Sequence, residues 1–227
     1  MSMTGESSFV KIAHRGASAY EPENTLRSFS KAIEIGADMI EFDVRQTLDG
    51  QLVIIHDRRV NRTTDGEGFV SDKSLKELKE LDAGMGEKIP TLEEAFELGR
   101  GRTGFVIEIK EDGIEEKVVK KVREFGLTDR AFIVSFKSPR LRVIKEIDPD
   151  MKTGLIVFAS TNPVKLAAKC GADAVAPFRW FVSKKLVDRA KESGMSLFTW
   201  TVDEAERCRA LVEIGVHGVV TNRPDLI

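Results

Sequence analysis

Cysteine and histidine are scarce in this chain, and net charge is almost absent. Two cysteines, Cys170 and Cys208, are too few for a disulfide framework and lack the paired spacing of a thiolate metal site, so two isolated, reduced thiols are expected. No apolar run approaches the ~18 residues that a membrane span needs. The first ten residues hold Glu6 and small polar side chains, not a basic segment followed by an apolar one, so no secretory signal is expected. Lys+Arg at 35 nearly balance Asp+Glu at 37, and a formal charge of -2 provides no global field to gather nucleic acid or anionic membrane. The expectation is a cytoplasmic protein with no nucleic-acid partner and no membrane span, in which any phosphate recognition is local. Phosphate-binding glycine loops, dinucleotide fingerprints and Ser-His-Asp arrangements are also missing.

What is present is a rhythm. Short β-branched runs alternate with amphipathic stretches from end to end, the pattern of parallel strands joined by crossover helices. Strands are expected near 9–13, 39–45, 104–109, 131–135, 152–157, 173–176, 196–200 and 218–221, with a short extra strand at 51–55 extending the second. Helices are expected near 25–35, 92–99, 114–125, 139–147, 163–170, 184–193 and 204–214. Asn24, Thr91 with Glu94, Ser138, Asn162 and Asp203 with Glu206 read as helix caps. Gly36, Gly171 and Gly215 each stop a helix just before a strand. Eight strands in 227 residues predict an α/β fold, a (β/α)8 barrel forming one domain over 1–227. Residues 57–90 break the rhythm with Asp, Gly, Arg and Lys, and one short helix near 75–81; they read as an insertion after the second strand, lying over the strand ends.

Alternate residues of a barrel strand face the interior and the surrounding helices. In 39–45, Ile40, Phe42 and Val44 share one face while Glu41, Asp43 and Arg45 share the other. In 105–110, Phe105, Ile107 and Ile109 oppose Glu108 and Lys110. Two strands thus aim carboxylates inward, where mutual repulsion asks for a cation; oxygen-only ligation suits Mg²⁺ or Ca²⁺ better than Zn²⁺. The alternative is a network in which Arg15, Arg45 and Lys110 neutralise the acids.

His14 and His56 each close a strand at its carboxyl end, where barrel enzymes keep their active sites. Two imidazoles flanking a phosphorus could exchange acid and base roles. His217, by contrast, precedes its strand and belongs on the opposite, stabilising face. Arg15 and Lys110 stand at the same rim, suited to phosphoryl oxygens. Trp200 could cover a substrate's glycerol or cationic head group, and it could equally be packing; Phe178, Arg179, Trp180 and Phe181 could join the mouth.

His14-Arg15-Gly16, Pro22-Glu23-Asn24-Thr25, Glu41-Phe42-Asp43-Val44, Asp49-Gly50, His56-Asp57, Glu108-Ile109-Lys110, Trp200-Thr201-Val202-Asp203 and Gly218 to Asp225 stand in the order of a known family. Over 9–227 the chain resembles the glycerophosphodiester phosphodiesterases. The resemblance implies a TIM barrel with a small inserted subdomain at 57–90, and hydrolysis of deacylated phospholipids to sn-glycerol 3-phosphate and an alcohol. It implies His14 and His56 as general acid and base, one Mg²⁺ or Ca²⁺ at Glu41, Asp43 and Glu108, phosphate contacts from Arg15 and Lys110, and a supporting Asn24. The chain departs from the pattern at Asp203, where the family usually has Asn, away from any proposed catalytic group. A lysophospholipase D or phosphatidylinositol-type phosphodiesterase is the rival on the same fold, and a silent phosphodiester-binding module is the rival of another class.

Overall fold

The computed structural model describes residues 9–226, so the expectation for the first residues lies outside the part described. The elements run β1 (Val10–His14), α1 (Leu26–Ile35), β2 (Met39–Gln46), β3 (Leu52–Ile54), α2 (Leu75–Glu80), α3 (Leu92–Gly99), β4 (Gly104–Ile109), α4 (Glu115–Glu124) and β5 (Ala131–Ser135). They continue with α5 (Ser138–Ile147), β6 (Thr153–Val157), α6 (Pro163–Ala168), β7 (Ala174–Pro177), α7 (Lys184–Glu192), β8 (Ser196–Thr199), α8 (Ala205–Glu213) and β9 (Gly218–Thr221). Strand neighbours follow the order β1-β9-β8-β7-β6-β5-β4-β2, and a β1–β2 pairing closes the ring. The eight parallel strands form the expected (β/α)8 barrel. After β9 the described chain runs into a 3-10 turn, Pro224–Leu226.

The parity expected of the strands is the parity observed. Ile12, Val106, Val134 and Val220, with Met39, Phe132, Ile156 and Phe198 against them, fill the barrel interior. Ile40, Phe42, Val44, Phe105, Ile107 and Ile109 point outward into the layer shared with the helices. Register sets His14 opposite Glu41, and Asp43 opposite Glu108. A slip of one residue would turn every one of these polar side chains into the apolar helix layer, so the hydrophobic pattern that folds the barrel also fixes the polar cluster.

Several local expectations shift by a residue, for physical reasons. The residue capping α1 is Thr25, whose hydroxyl accepts from Ser28 N at 3.2 Å, while Asn24 adopts φ 58 and turns its amide toward Asp43. Thr91 and Asn162 cap α3 and α6 as expected. Ser138 is the first residue of α5, not its cap, and α8 starts after Glu204 because the Asp203 carboxylate is engaged by Thr221 and Asn222. The strand near 51–55 does not extend β2; it folds back antiparallel on it as β3.

That reversal makes β3 two-sided. Leu52 and Ile54 join the main core, whereas Val53 and Ile55 start a second, smaller one with Val60, Val70, Leu78, Ala83 and Ile89 from the 57–90 segment. The insertion therefore carries its own apolar anchor and is packed against the barrel instead of trailing from it. No described helix is long and apolar enough to cross a membrane.

Candidate active site

Glu41, Asp43 and Glu108 converge: one carboxylate oxygen from each lies within 4.8 Å of the others, and all three are buried. Glu41 accepts from Arg15 N at 3.0 Å, and Asp43 Oδ2 accepts from Asn24 Nδ2 at 2.9 Å. Lys110 Nζ stands 2.7 Å from Glu108 Oε1 and 2.9 Å from Asp43 Oδ1, and Arg15 Nε 3.2 Å from Asp43 Oδ2. Part of the all-protein neutralising network is thus built, from Arg15 and Lys110. Arg45 is not part of it, since its guanidinium donates to the His56 carbonyl at 2.7 and 2.9 Å and pairs with Glu111.

Two cations do not satisfy three buried acids, and Arg15 also serves Glu23 at 2.9 Å. Asp43 Oδ1 and Asn24 Oδ1 are buried without a hydrogen-bond donor, the Lys110 ammonium lying off the direction such a bond needs. Burial, reinforced by Asp43, pushes Glu41 up to about 8. Burial, opposed by Lys110 but joined by Asp43 and Glu41, pushes Glu108 up to about 7. Asp43 is buried as well, but Lys110 and Arg15 outweigh that and hold it down at about 2. Surplus acceptor oxygens and carboxyls that retain protons mark a site short of positive charge. Glu41, Asp43 and Glu108 are an all-oxygen donor set that fits a hard divalent cation.

Both catalytic candidates have one ring nitrogen tied down. His14 Nδ1 lies 2.7 Å from Asn222 Oδ1, and His56 Nδ1 lies 2.6 Å from Asp57 Oδ1. Each acceptor takes the Nδ1 proton, which leaves Nε2 for the cleft. Burial, then Arg15, lowers His14 below the usual imidazole value. Burial lowers His56 as well and outweighs the pull of Asp43 and Asp57. Asp57 is itself held far below the carboxylate range, by the Arg62 hydrogen bond above all. Arg62 also grips Glu23 with two bonds of 2.8 Å, linking the insertion to the first loop.

The cleft at the carboxyl ends of the strands is lined by His14, Arg15, Glu41, His56, Glu108, Lys110 and Trp200, while Asp43 and Asn24 sit buried behind it. Trp200 is both lining and packing: its Nε1 donates to Ala176 O at 2.9 Å, and its ring lies 5.1 Å from Phe178 and 5.5 Å from Phe136. Phe178 stacks on Phe158, and Trp180 and Phe181 are exposed on the rim, with Arg179 over Phe178 and Trp180. His217 lies just before β9, at the far end of the barrel, and accepts from Leu197 N at 3.0 Å. Sequence reasoning missed Asp57, Arg62, Glu23, Ser18 and Asn222 as partners, and set Asp203 apart from the chemistry. Asp203 makes no direct contact with His14 but is joined to it by two hydrogen bonds through Asn222.

A closed parallel barrel whose strand ends gather an acid cluster that could hold a cation, two oriented imidazoles, Arg15 and Lys110 defines a barrel enzyme suited to an anionic substrate. The sequence profile of the Glycerophosphoryl diester phosphodiesterase family matches residues 14–226. A glycerophosphodiester phosphodiesterase of Caldanaerobacter subterraneus is 43% identical over 95% of both chains. Among solved structures, a glycerophosphodiester phosphodiesterase of Agrobacterium tumefaciens superposes with a TM-score of 0.89 at 29% identity, covering 96% of this chain and 98% of its own. A phosphodiesterase of Oleispira antarctica, solved with the product sn-glycerol-3-phosphate, gives 0.87 at 30% identity over 96% and 94%. This chain belongs to the glycerophosphoryl diester phosphodiesterase family and is a phosphoric diester hydrolase.

Proposed function

We propose that this chain hydrolyses glycerophosphodiesters, small deacylated phospholipids, to sn-glycerol 3-phosphate and an alcohol. One divalent cation, Mg²⁺ or Ca²⁺, would be held by Glu41, Asp43 and Glu108. The observation that carries the reading is the convergence of three buried carboxylates beneath two imidazoles whose Nε2 atoms are left for the same cleft. Bound there, the cation supplies Lewis-acid withdrawal of charge from the phosphoryl oxygens. Arg15 and Lys110, already fixed by Asp43, bind the anionic oxygens and orient the phosphorus.

His14 Nε2, neutral and backed by a neutral amide, takes the proton from the attacking water, or from the substrate's own glycerol hydroxyl. The latter route leaves a cyclic phosphate that water then opens to sn-glycerol 3-phosphate, with the two histidines exchanging roles. His56, whose Nδ1 faces the Asp57 carboxylate, is the ring on which a positive charge is better tolerated; it delivers a proton from Nε2 to the departing alkoxide. Asn24 holds Asp43 in place, and Trp200 closes one wall. A single domain with 57–90 as an inserted subdomain is part of the proposal, supported by the second small core and the Arg62 clamp. So is a cytoplasmic setting, supported by two free, buried thiols.

A release assay over a panel of glycerophosphodiesters with several divalent ions tests the reading. Turnover should need the ion and vanish in excess EDTA; full turnover under chelation would remove the metal. A second substrate class is favoured by one observation, the apolar rim of exposed Phe136, Phe158, Trp180 and Phe181 beside Trp200, which suits the acyl chain of a lysophospholipid. Glycerophosphocholine assayed beside its lysolipid separates the two.

A further inference from the structure

Asp203 belongs to a hydrogen-bonded chain that ends on His14. Its Oδ1 accepts from Asn222 N at 2.7 Å and from Thr221 Oγ1 at 3.0 Å. Its Oδ2 accepts from Asn222 Nδ2, also at 2.7 Å. An ionised carboxylate can only accept, so it compels Asn222 to turn its NH₂ toward β8 and its oxygen toward β1. That oxygen sits 2.7 Å from His14 Nδ1 and 2.8 Å from Ser18 Oγ.

From this geometry we infer that Asp203 and Asn222 are positioning residues that set the tautomer of His14: proton on Nδ1, lone pair on Nε2. The inference rests on His14 being a general base, and it adds what makes it one. The chain spans the barrel closure, because Asn222 follows β9 and His14 ends β1, its neighbour in the ring. Folding the barrel shut is what delivers the acceptor to the ring.

The logic is directional and can be reversed by one atom. In Asp203→Asn the side-chain oxygen still serves Asn222 N and Thr221 Oγ1, but an NH₂ now meets the NH₂ of Asn222. The conflict is relieved when Asn222 turns its amide over, which presents a donor to His14 Nδ1. The ring must then accept at Nδ1 and carry its proton on Nε2, so the base is lost from the cleft. An amide at position 203 is compatible with the original tautomer only if position 222 is itself acceptor-only. The exchanged pair Asp203→Asn/Asn222→Asp meets that condition: the new amide at position 203 donates to the new carboxylate at position 222, which in turn accepts from His14.

The test uses folded, Mg²⁺-loaded protein with ¹⁵N-labelled histidine, at a pH where the ring is neutral, the His14 signals being assigned by their loss in His14→Ala. The wild type should show a protonated Nδ1 and a bare Nε2. Asp203→Asn should move the proton to Nε2 and lower kcat by about 10-fold or more with little change in KM. The exchanged pair should restore both the tautomer and most of the turnover, a rescue that a merely structural loss would not allow. A wild-type ring carrying its proton on Nε2, a measurement that needs no variant, would overturn the inference. So would an Asp203→Asn enzyme with unaltered tautomer and full kcat. A switched tautomer with full kcat would uphold the relay while removing His14 from the chemistry.

Discussion

An imidazole in a cleft is useful only if one nitrogen is committed and the other is free, and both candidate histidines are committed by residues of different charge. The His14 acceptor is a neutral amide, the His56 acceptor a carboxylate that Arg62 keeps ionised. His14→Ala and His56→Ala should therefore each reduce kcat by about 10²-fold or more, with unchanged melting temperature, because neither ring is part of an apolar core. Steady-state kinetics beside a thermal melt checks this; near wild-type turnover in either variant removes that histidine from the mechanism. At this scale the placement of the candidate side chains was legible, since strand parity and strand-end position bring Glu41, Asp43, Glu108, His14 and His56 to one end of the barrel without reference to anything distant. Their partners were not: Asn222 is 208 residues from His14, and only ring closure joins them. A rule that every polar residue closing a strand faces the site would have found Asn222, and adjacency to His56 would have found Asp57. Nothing in the sequence of the insertion pointed to the meeting of Arg62 with Glu23.

Strands and helices were legible to within a residue or two, because apolar periodicity and burial are the same pattern seen before and after folding. Direction was harder. A hydrophobic run at 51–55 after a short turn continues or reverses a strand with the same composition, and it is the two-sided burial of Leu52–Ile54 that decides for reversal. Caps failed where a capping residue had a second use, as at Asn24 and Asp203. Closure of the ring depends on β9 lying tight against β1, and at Gly218 the approach leaves no room for a side chain. A Cβ there would lie against the Val10 carbonyl and 2.9 Å from Val10 Cβ. Gly218→Ala should thus push β9 away from β1 and destabilise the fold by ~1–3 kcal/mol, measurable by urea denaturation. Because β1 carries His14 and β9 leads into Asn222, turnover should fall in the same variant. Unaltered stability would mean that the β1–β9 seam is loose enough to absorb a methyl group.

At the scale of the whole molecule, the acid cluster sets activity against stability, and the proposed cation would reconcile them. Without one, Glu41 near 8 and Glu108 near 7 hold protons that an unfolded chain releases near the ordinary carboxylate value of 4.5. At these two carboxyls the folded state binds more protons than the unfolded state, so their contribution to stability is fullest below about 4.5 and declines as pH rises toward about 8. His14, His56 and His217, which burial holds below the ordinary 6.5, oppose that decline as the unfolded imidazoles lose their protons. Asp43, held down at about 2, works in the opposite sense, but its contribution is complete above 3.8 and constant across that window. A divalent ion competes with those protons and removes the reason for them. Its stabilising effect should therefore grow with pH: small near about pH 5, where protons already neutralise Glu41 and Glu108, and larger near about pH 8, where Glu108 has lost its proton and Glu41 is losing its own. Melting temperatures in EDTA and in excess Mg²⁺ or Ca²⁺ across that range measure the difference directly. An ion-induced shift that is the same at both ends would mean that Arg15 and Lys110 alone satisfy the cluster, and that the barrel closes around an ion pair network instead of a cation site.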